Sequence, residues 1–258
     1  LLPVTALKSV AAQLPWVASA QHVQFHTSGT VDGAPGTVRL ASTRAYDAAV
    51  DAGFERALLA PCGVDRPRRV LSLVPDQTLR PHSSLGYMAQ RLLQTIDDGG
   101  GGQFLRRPVG DGVAFDDQGE RAGLDIEGFV AALHAAVNDA IPVVVLATTL
   151  AIDLLAAAWP DTVRLRLPAG SRVMDTGGPK GRHHVANRRA QRRWLDERLG
   201  VDANCIVGEL GMTELASQRY EVAGGTADAP WFAGPPWLRS VALDSDSLRP
   251  VPLGAIGV

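Results

Sequence analysis

A layered α/β domain is the fold class this sequence predicts, and three observations predict it. Short apolar runs of strand length alternate with longer runs whose apolar residues recur at helical spacing. One short run, Pro142-Val143-Val144-Val145-Leu146-Ala147, is apolar throughout, as expected of a strand covered on both faces. Polar, glycine-bearing segments follow several of the predicted strands, where α/β sheets hold their ligands.

The elements follow in chain order. His22-Val23-Gln24-Phe25 reads as a strand that runs into the turn His26-Thr27-Ser28-Gly29-Thr30. Val70-Leu71-Ser72-Leu73-Val74 reads as a buried strand, followed by a helix from Ser84 to about Ile96. Gly99 to Gly102 is expected to be a flexible surface loop without side-chain chemistry. A helix is expected from Leu124 to Ala140, capped by Asp125, with Ile126, Phe129, Val130, Leu133 and Val137 on one face. The strand over 142–147 leads to a helix from Leu150 to Trp159, which Pro160 ends. Arg172-Val173-Met174-Asp175 reads as a strand that passes through a glycine loop into a helix from Val185 to Leu199, then into the strand Cys205-Ile206-Val207. From Pro230 onward helical signals disappear. Leu238 to Leu243 reads as a strand entering a turn at Asp244-Ser245-Asp246, so residues 230–258 are expected to form a β-rich segment completing an α/β core of residues 1–229.

Composition narrows the function classes. With 258 residues, 46% hydrophobic and 20% charged, the chain can bury one substantial core. A formal charge of −2 gives no basic footprint, which argues against nucleic acid as a partner. Two cysteines, Cys62 and Cys205, are too few for a disulfide framework, and a reducing cytoplasm is the expected compartment. Cys205 is expected to be a buried small hydrophobe. The longest apolar candidate, Ile141 to Leu155, is interrupted by Thr148, Thr149 and Asp153, so no membrane span is expected. The chain starts at leucine and stops in mid-pattern, which reads as a portion of a longer protein.

Three loops carry chemistry. Thr27-Ser28-Gly29-Thr30 offers hydroxyls, backbone amides and a glycine that permits close approach to a phosphate; a plain hairpin loop is the alternative. Asp175-Thr176-Gly177-Gly178-Pro179-Lys180-Gly181 lacks Walker A spacing but falls at a strand-to-helix junction; a turn with a solvated lysine is the alternative. Gly208-Glu209-Leu210-Gly211-Met212-Thr213-Glu214 reads as a turn whose threonine can reach a phosphate oxygen and whose carboxylate can bind magnesium. Its alternative is a helix start capped by Thr213.

Other polar clusters invite blander readings. Adjacent His183 and His184 point apart and do not make a metal pair. Arg188, Arg189, Arg192 and Arg193 read as a solvated basic face, and Trp231, Phe232 and Trp237 as packing in the β-rich segment. Thr148 and Thr149 fit either a helix cap or the wall of an acyl pocket.

In their order, the three loops resemble those of the AMP-forming adenylating enzymes. Thr27-Ser28-Gly29-Thr30 is similar to the family's phosphate loop, and Gly211-Met212-Thr213-Glu214 to its Gly-x-Thr-Glu motif. Within that superfamily the chain most resembles the acyl-protein synthetases of bacterial luminescence systems. That likeness rests on Leu2-Pro3-Val4 with Lys8, Ser83-Ser84-Leu85-Gly86-Tyr87-Met88, Thr176-Gly177-Gly178-Pro179-Lys180-Gly181-Arg182 and Gly211 through Tyr220.

The resemblance implies ATP and Mg2+ as cofactors and a small-molecule carboxylic acid, a fatty acid in that family, as substrate. The acid would become an acyl-adenylate with release of pyrophosphate and then pass to a thiol, with an acyl-accepting protein or a reductase as partner. It implies that Thr27, Ser28 and Thr30 around Gly29 bind the β- and γ-phosphates. Gly177 and Gly178 would pack by the adenine and ribose, and Leu210, Gly211 and Met212 would line the nucleotide. Thr213 would contact the α-phosphate and Glu214 would hold magnesium; these two are the catalytic residues it implies. Two departures stand out: Asp32 where the family has a basic residue, and Leu210 where it has an aromatic. The family's mobile C-terminal domain is expected to be absent from, or truncated in, this chain. Two other readings stay open, an aryl- or acyl-CoA ligase and a non-catalytic nucleotide-binding or scaffold module.

Overall fold

The computed structural model describes residues 23–27, 36–62, 68–106, 114–117, 120–177 and 187–252. A hairpin of β1 (Val23–His26) and β2 (Thr37–Leu40) precedes helix α1 (Arg44–Phe54), which a π turn and a 3-10 turn prolong to Cys62. Strand β3 (Arg69–Leu73) leads to α2 (Ser84–Thr95) and β4 (Gly102–Gln103). A small sheet of β5 (Leu105–Arg106), β6 (Ala114–Asp117) and β7 (Glu120–Leu124) comes before α3 (Ile126–Asn138). Then follow β8 (Val143–Thr148), α4 (Thr149–Ala158), β9 (Arg172–Thr176), α5 (Arg188–Leu199) and β10 (Ile206–Met212). Strands β11 (Ser217–Val222) and β12 (Trp231–Ala233) complete the series.

The main sheet has the order β12-β11-β10-β9-β8-β3-β4. Strands β4, β3, β8, β9 and β10 are parallel, whereas β11 and β12 join antiparallel. Alternate side chains leave the sheet on opposite faces, and two cores result. Leu71, Leu73, Val143, Val145, Ala147, Val173 and Ile206 pack under α3, α4 and α5. Val70, Val144, Leu146, Met174 and Val207 pack under α1, α2 and Phe25 of the hairpin. Each fully buried leucine or phenylalanine in these layers contributes about 2 kcal/mol. The sheet is thus wound in both directions from β3: through α2 to β4 on one side, and through α4 and α5 to β9 and β10 on the other. The winding reverses between β3 and β8, and the carboxyl ends of the strands at such a reversal are the usual ligand position in these sheets.

The layered α/β expectation holds, and most elements fall where periodicity places them. Asp125 caps α3 by accepting from the Gly128 amide, and Thr148 caps α4 by accepting from the Ala151 amide. The cap expected of Thr148 is thus present. Four expectations change. Leu238 to Leu243 is not a strand, although Asp244 does organise a turn by accepting from the Ser247 amide at 2.7 Å and the Asp246 amide at 3.3 Å. Trp231 and Trp237 are mostly exposed, and Trp231 lies on β12 at the edge of the main sheet. Cys205 is half-buried in a 3-10 turn beside the core and does not belong to β10. Among the four arginines, only Arg189 and Arg193 are solvated.

The Gly99 to Gly102 segment is likewise ordered. The Asp97 carboxylate accepts from the Gly99 amide at 2.8 Å and the Gly101 amide at 3.1 Å, and Gly102 enters β4. A Cβ on Gly101 would overlap the Val70 carbonyl and the Asp97 carboxylate, whereas one on Gly102 would only touch the Phe104 ring at 3.6 Å. Gly101→Ala is expected to destabilise the protein by about 1–3 kcal/mol. Gly102→Ala should leave the melting temperature nearly unchanged. Equal melting temperatures for the two variants would show that the segment is loose after all.

Candidate nucleotide site at the strand carboxyl ends

The first loop is closed as a hairpin. β1 and β2 pair from Val23 with Leu40 to His26 with Thr37, and the Thr27 hydroxyl accepts from the Gly36 amide at 2.8 Å. Ser28, Gly29 and Thr30 lie outside the described residues, as do Gly178, Lys180, His183 and His184. The base of the hairpin is fixed to the segment before α2: the His26 amide donates to the His82 carbonyl at 2.8 Å, and the two imidazoles are in contact, tilted by 37° with centroids 4.3 Å apart.

The third loop is not the turn that its glycines suggest. Gly208 to Met212 continue β10, pairing Glu209 with Tyr220 and Met212 with Ser217 across the β10–β11 ladder. Only Thr213–Leu215 turn, as a single 3-10 turn closed by Ala216 in the left-handed region at φ 47°. Thr213 is therefore neither a helix cap nor part of a long loop; it is the first residue beyond a seven-residue strand. Its hydroxyl lies 2.9 Å from that of Ser84, the first residue of α2. His82 and Ser84 are two residues apart, so the hairpin carrying Thr27 and the turn carrying Thr213 and Glu214 dock on one short segment.

The second loop leaves β9 just after Thr176, which pairs with Glu209 of β10. Gly177 has φ 81°, a conformation that glycine adopts without a Cβ penalty, and none of the described residues occupies the space where a Cβ would lie. Its carbonyl and the Asp175 carboxylate both lie within reach of the buried Thr149 hydroxyl, at 3.2 and 2.9 Å. Strand pleating sorts the rest. Leu210 and Met212 share a face with Gly208, where Arg188 and Phe232 lie, and both are well exposed, Leu210 at 49%. Glu209 and Thr213 belong to the opposite side, toward α1 and α2. An apolar ledge on the α5 side and a hydroxyl on the α2 side thus flank the end of β10. Glu214 is half-buried, and among the described residues it has no hydrogen bond or ion pair.

Two buried carboxyl groups support these loops, and the sequence reading assigned a role to neither. Asp175 is pushed above the usual carboxylate range by burial, although Arg188 at 3.2 Å opposes the shift. Glu209 lies on the other face, where it accepts from the Thr176 hydroxyl; burial raises its pKa to about 7, and the charge of Asp175 adds to the rise. Beside it the Tyr220 hydroxyl is buried, without a hydrogen-bond partner among the described residues, and titrates well above its ordinary value, chiefly through burial. Only the pairing of β10 with both β9 and β11 turns Glu209 from a turn residue into a core carboxyl.

The pH consequence of Glu209 follows from linkage. Between its unfolded value near 4.5 and about 7, the folded state holds a proton that the unfolded state has lost, so Glu209 makes stability fall as pH rises through that window. Above it the penalty is constant. Glu209→Gln is therefore expected to raise the melting temperature at pH 8 by several degrees more than at pH 5. An equal effect at both values would show that Glu209 titrates normally.

No family model matches the sequence, and no curated protein matches it. Among solved structures, two ATP-bound RpMatB-BxBclM chimeras, B3 and B1, superpose with TM-scores of 0.58 and 0.57 at 14% identity. Each match covers 91% of this chain, which spans 38% and 37% of the respective chimera chains. Among the described residues no helix is long and apolar enough to cross a membrane. The chain has the fold of a portion of these chimeras, whose structures were determined with ATP.

Proposed function

We propose that this chain is part of an AMP-forming acid–thiol ligase, in which the carboxyl ends of β3, β8, β9 and β10 bind ATP. The observation that carries this reading is the Ser84–Thr213 contact beside the His26–His82 contact. It gathers the hydroxyl of the Gly-x-Thr-Glu motif and the base of the proposed phosphate loop on the segment from His82 to Ser84 at the start of α2. The fold shared with ATP-bound structures is consistent with it.

In this reading the loop from Thr27 through Thr30 holds the β- and γ-phosphates. Gly177, Gly178 and the exposed ledge of Leu210 and Met212 receive the adenosine, while Thr213 donates to the α-phosphate. The residues suit magnesium only in the presence of nucleotide. No cluster of three or more His, Cys, Asp or Glu able to hold a metal occurs among the described residues. Glu214 provides a carboxylate without a hydrogen bond or ion pair among the described residues, which matches an ion that takes one or two carboxylates together with phosphate oxygens and waters. Magnesium, when bound, would neutralise charge on the phosphates. The protein's own contribution is alignment: a substrate carboxylate attacks the α-phosphorus in line and pyrophosphate leaves, with no proton transfer required of any side chain.

A fatty acid is the substrate, and a protein thiol the acceptor, that the sequence resemblance favours. Acid-dependent ATP–pyrophosphate exchange by the full-length protein, measured over acids of graded chain length, tests the reading. Exchange with at least one acid is expected, and discharge of the acyl group to a protein thiol but not to coenzyme A would separate the acyl-protein synthetase from the CoA ligase. Absence of exchange with every acid, together with no ATP binding by calorimetry, would leave only the scaffold.

A further inference from the structure

Ser84 belongs to a sequence motif, Ser83 through Met88, for which the reaction above has no use, yet it occupies a specific place in the structure. Its hydroxyl meets that of Thr213 at 2.9 Å, across 129 residues of chain. Its carbonyl accepts from the Tyr46 hydroxyl of α1 at 3.1 Å, and Gln218 on β11 lies beside the same tyrosine. Tyr46 and Gln218 are both buried. The backbone of Ser84 is pinned in addition by the start of α2, where the Ser83 hydroxyl accepts from the Gly86 amide and a Cβ on Gly86 would approach the Pro75 carbonyl to 2.8 Å.

Each hydroxyl has a single proton to donate. A Thr213 hydroxyl that gives its proton to a phosphate oxygen can only accept from Ser84, so the contact has one productive direction: Ser84 to Thr213, Thr213 to phosphate. We infer that Ser84 is the positioning residue of the adenylation step, held by Tyr46 and by the cap of α2 so that the proton of Thr213 faces the α-phosphate. Without Ser84 the Thr213 hydroxyl rotates freely about its Cβ–O bond at the end of a one-turn 3-10 segment, and part of its population points away.

This inference rests on the proposed ligase reading, and a double-mutant cycle separates the two. In the full-length protein, Ser84→Ala is expected to lower kcat for exchange about three- to tenfold, the loss of one uncharged hydrogen bond. KM for the acid should stay unchanged, and Ser84→Thr should keep most of the wild-type rate. In a Thr213→Ala background the further change Ser84→Ala should cost nothing, because the group it positions is gone. Equal losses in both backgrounds, or a Ser84→Thr enzyme as slow as Ser84→Ala, would overturn the inference while leaving the ligase reading intact. A wild-type protein without exchange or ATP binding would overturn both. Melting temperatures of the four variants, expected to agree within a few degrees, exclude misfolding as the cause.

Discussion

Replacing Glu214 by glutamine is expected to reduce acid-dependent exchange about 100-fold or more while leaving the fold intact. The magnitude is that of removing one fixed electrostatic contact to a charge developing in the transition state. The fold should survive because the side chain is half-buried at the tip of a hairpin and makes no hydrogen bond or ion pair among the described residues. The substitution keeps size and polarity and removes only charge. Its signature should lie in the metal dependence, with the residual activity demanding a higher magnesium concentration. The melting temperature should match that of the wild type. Unaltered exchange would remove Glu214 from the site, and a large fall in melting temperature would mean that it serves the fold.

Glu221→Ala should produce the largest loss of stability. One oxygen of this carboxylate accepts from the Arg188 guanidinium at 3.1 Å, the Gly208 amide at 3.0 Å and Arg192. Arg188 also reaches Asp175, so the group ties α5 to β9, β10 and β11. The side chains of Arg192 and Glu221 are only 12% and 11% exposed. Removing the shared acceptor leaves a buried guanidinium uncompensated, which costs about 3–5 kcal/mol. In a domain of this size that is a fall of roughly 10 °C or more in melting temperature. Glu221→Gln retains an acceptor and should lose less, and adding Arg192→Ala to Glu221→Ala should recover part of the loss. A change under about 2 °C for Glu221→Ala would show that solvent already compensates these charges.

The helices α2 to α4 and the strands β3, β8 and β9 were legible in the sequence because one periodic signal decides each of them. A run such as 142–147 has no polar position to solvate, and Asp125 before an apolar 3.6-residue rhythm starts a helix wherever it lies. Helix α1 carries a similar rhythm, with Tyr46, Val50 and Phe54 buried at intervals of four, yet the reading passed over it. Its alanines, aspartates and Gly53 dilute the apolar signal, and Gly53 is where the Tyr220 ring packs against it. The glycines of 208–211 signalled a turn for the same local reason. Pairing of Glu209 with both Thr176 and Tyr220 outweighs that preference.

The candidate site divides in the same way. By itself the sequence determined which groups have the right chemistry: the hydroxyls and glycines of the loop at Thr27, the glycine pair at Gly177, and the hydroxyl and carboxylate of Thr213 and Glu214. Only the tertiary structure decided that the strand leading into the first of these and the turn carrying the last dock on the segment from His82 to Ser84, and that Arg188 and Arg192 turn inward while Arg189 and Arg193 stay in solvent. It alone made Glu209 a buried carboxyl that holds its proton to about pH 7. The physical reason is that side-chain chemistry and local periodicity are properties of neighbouring residues, whereas burial, and with it the charge state of Glu209 and the alignment of Ser84 with Thr213, depends on strands and helices that meet from distant parts of the chain.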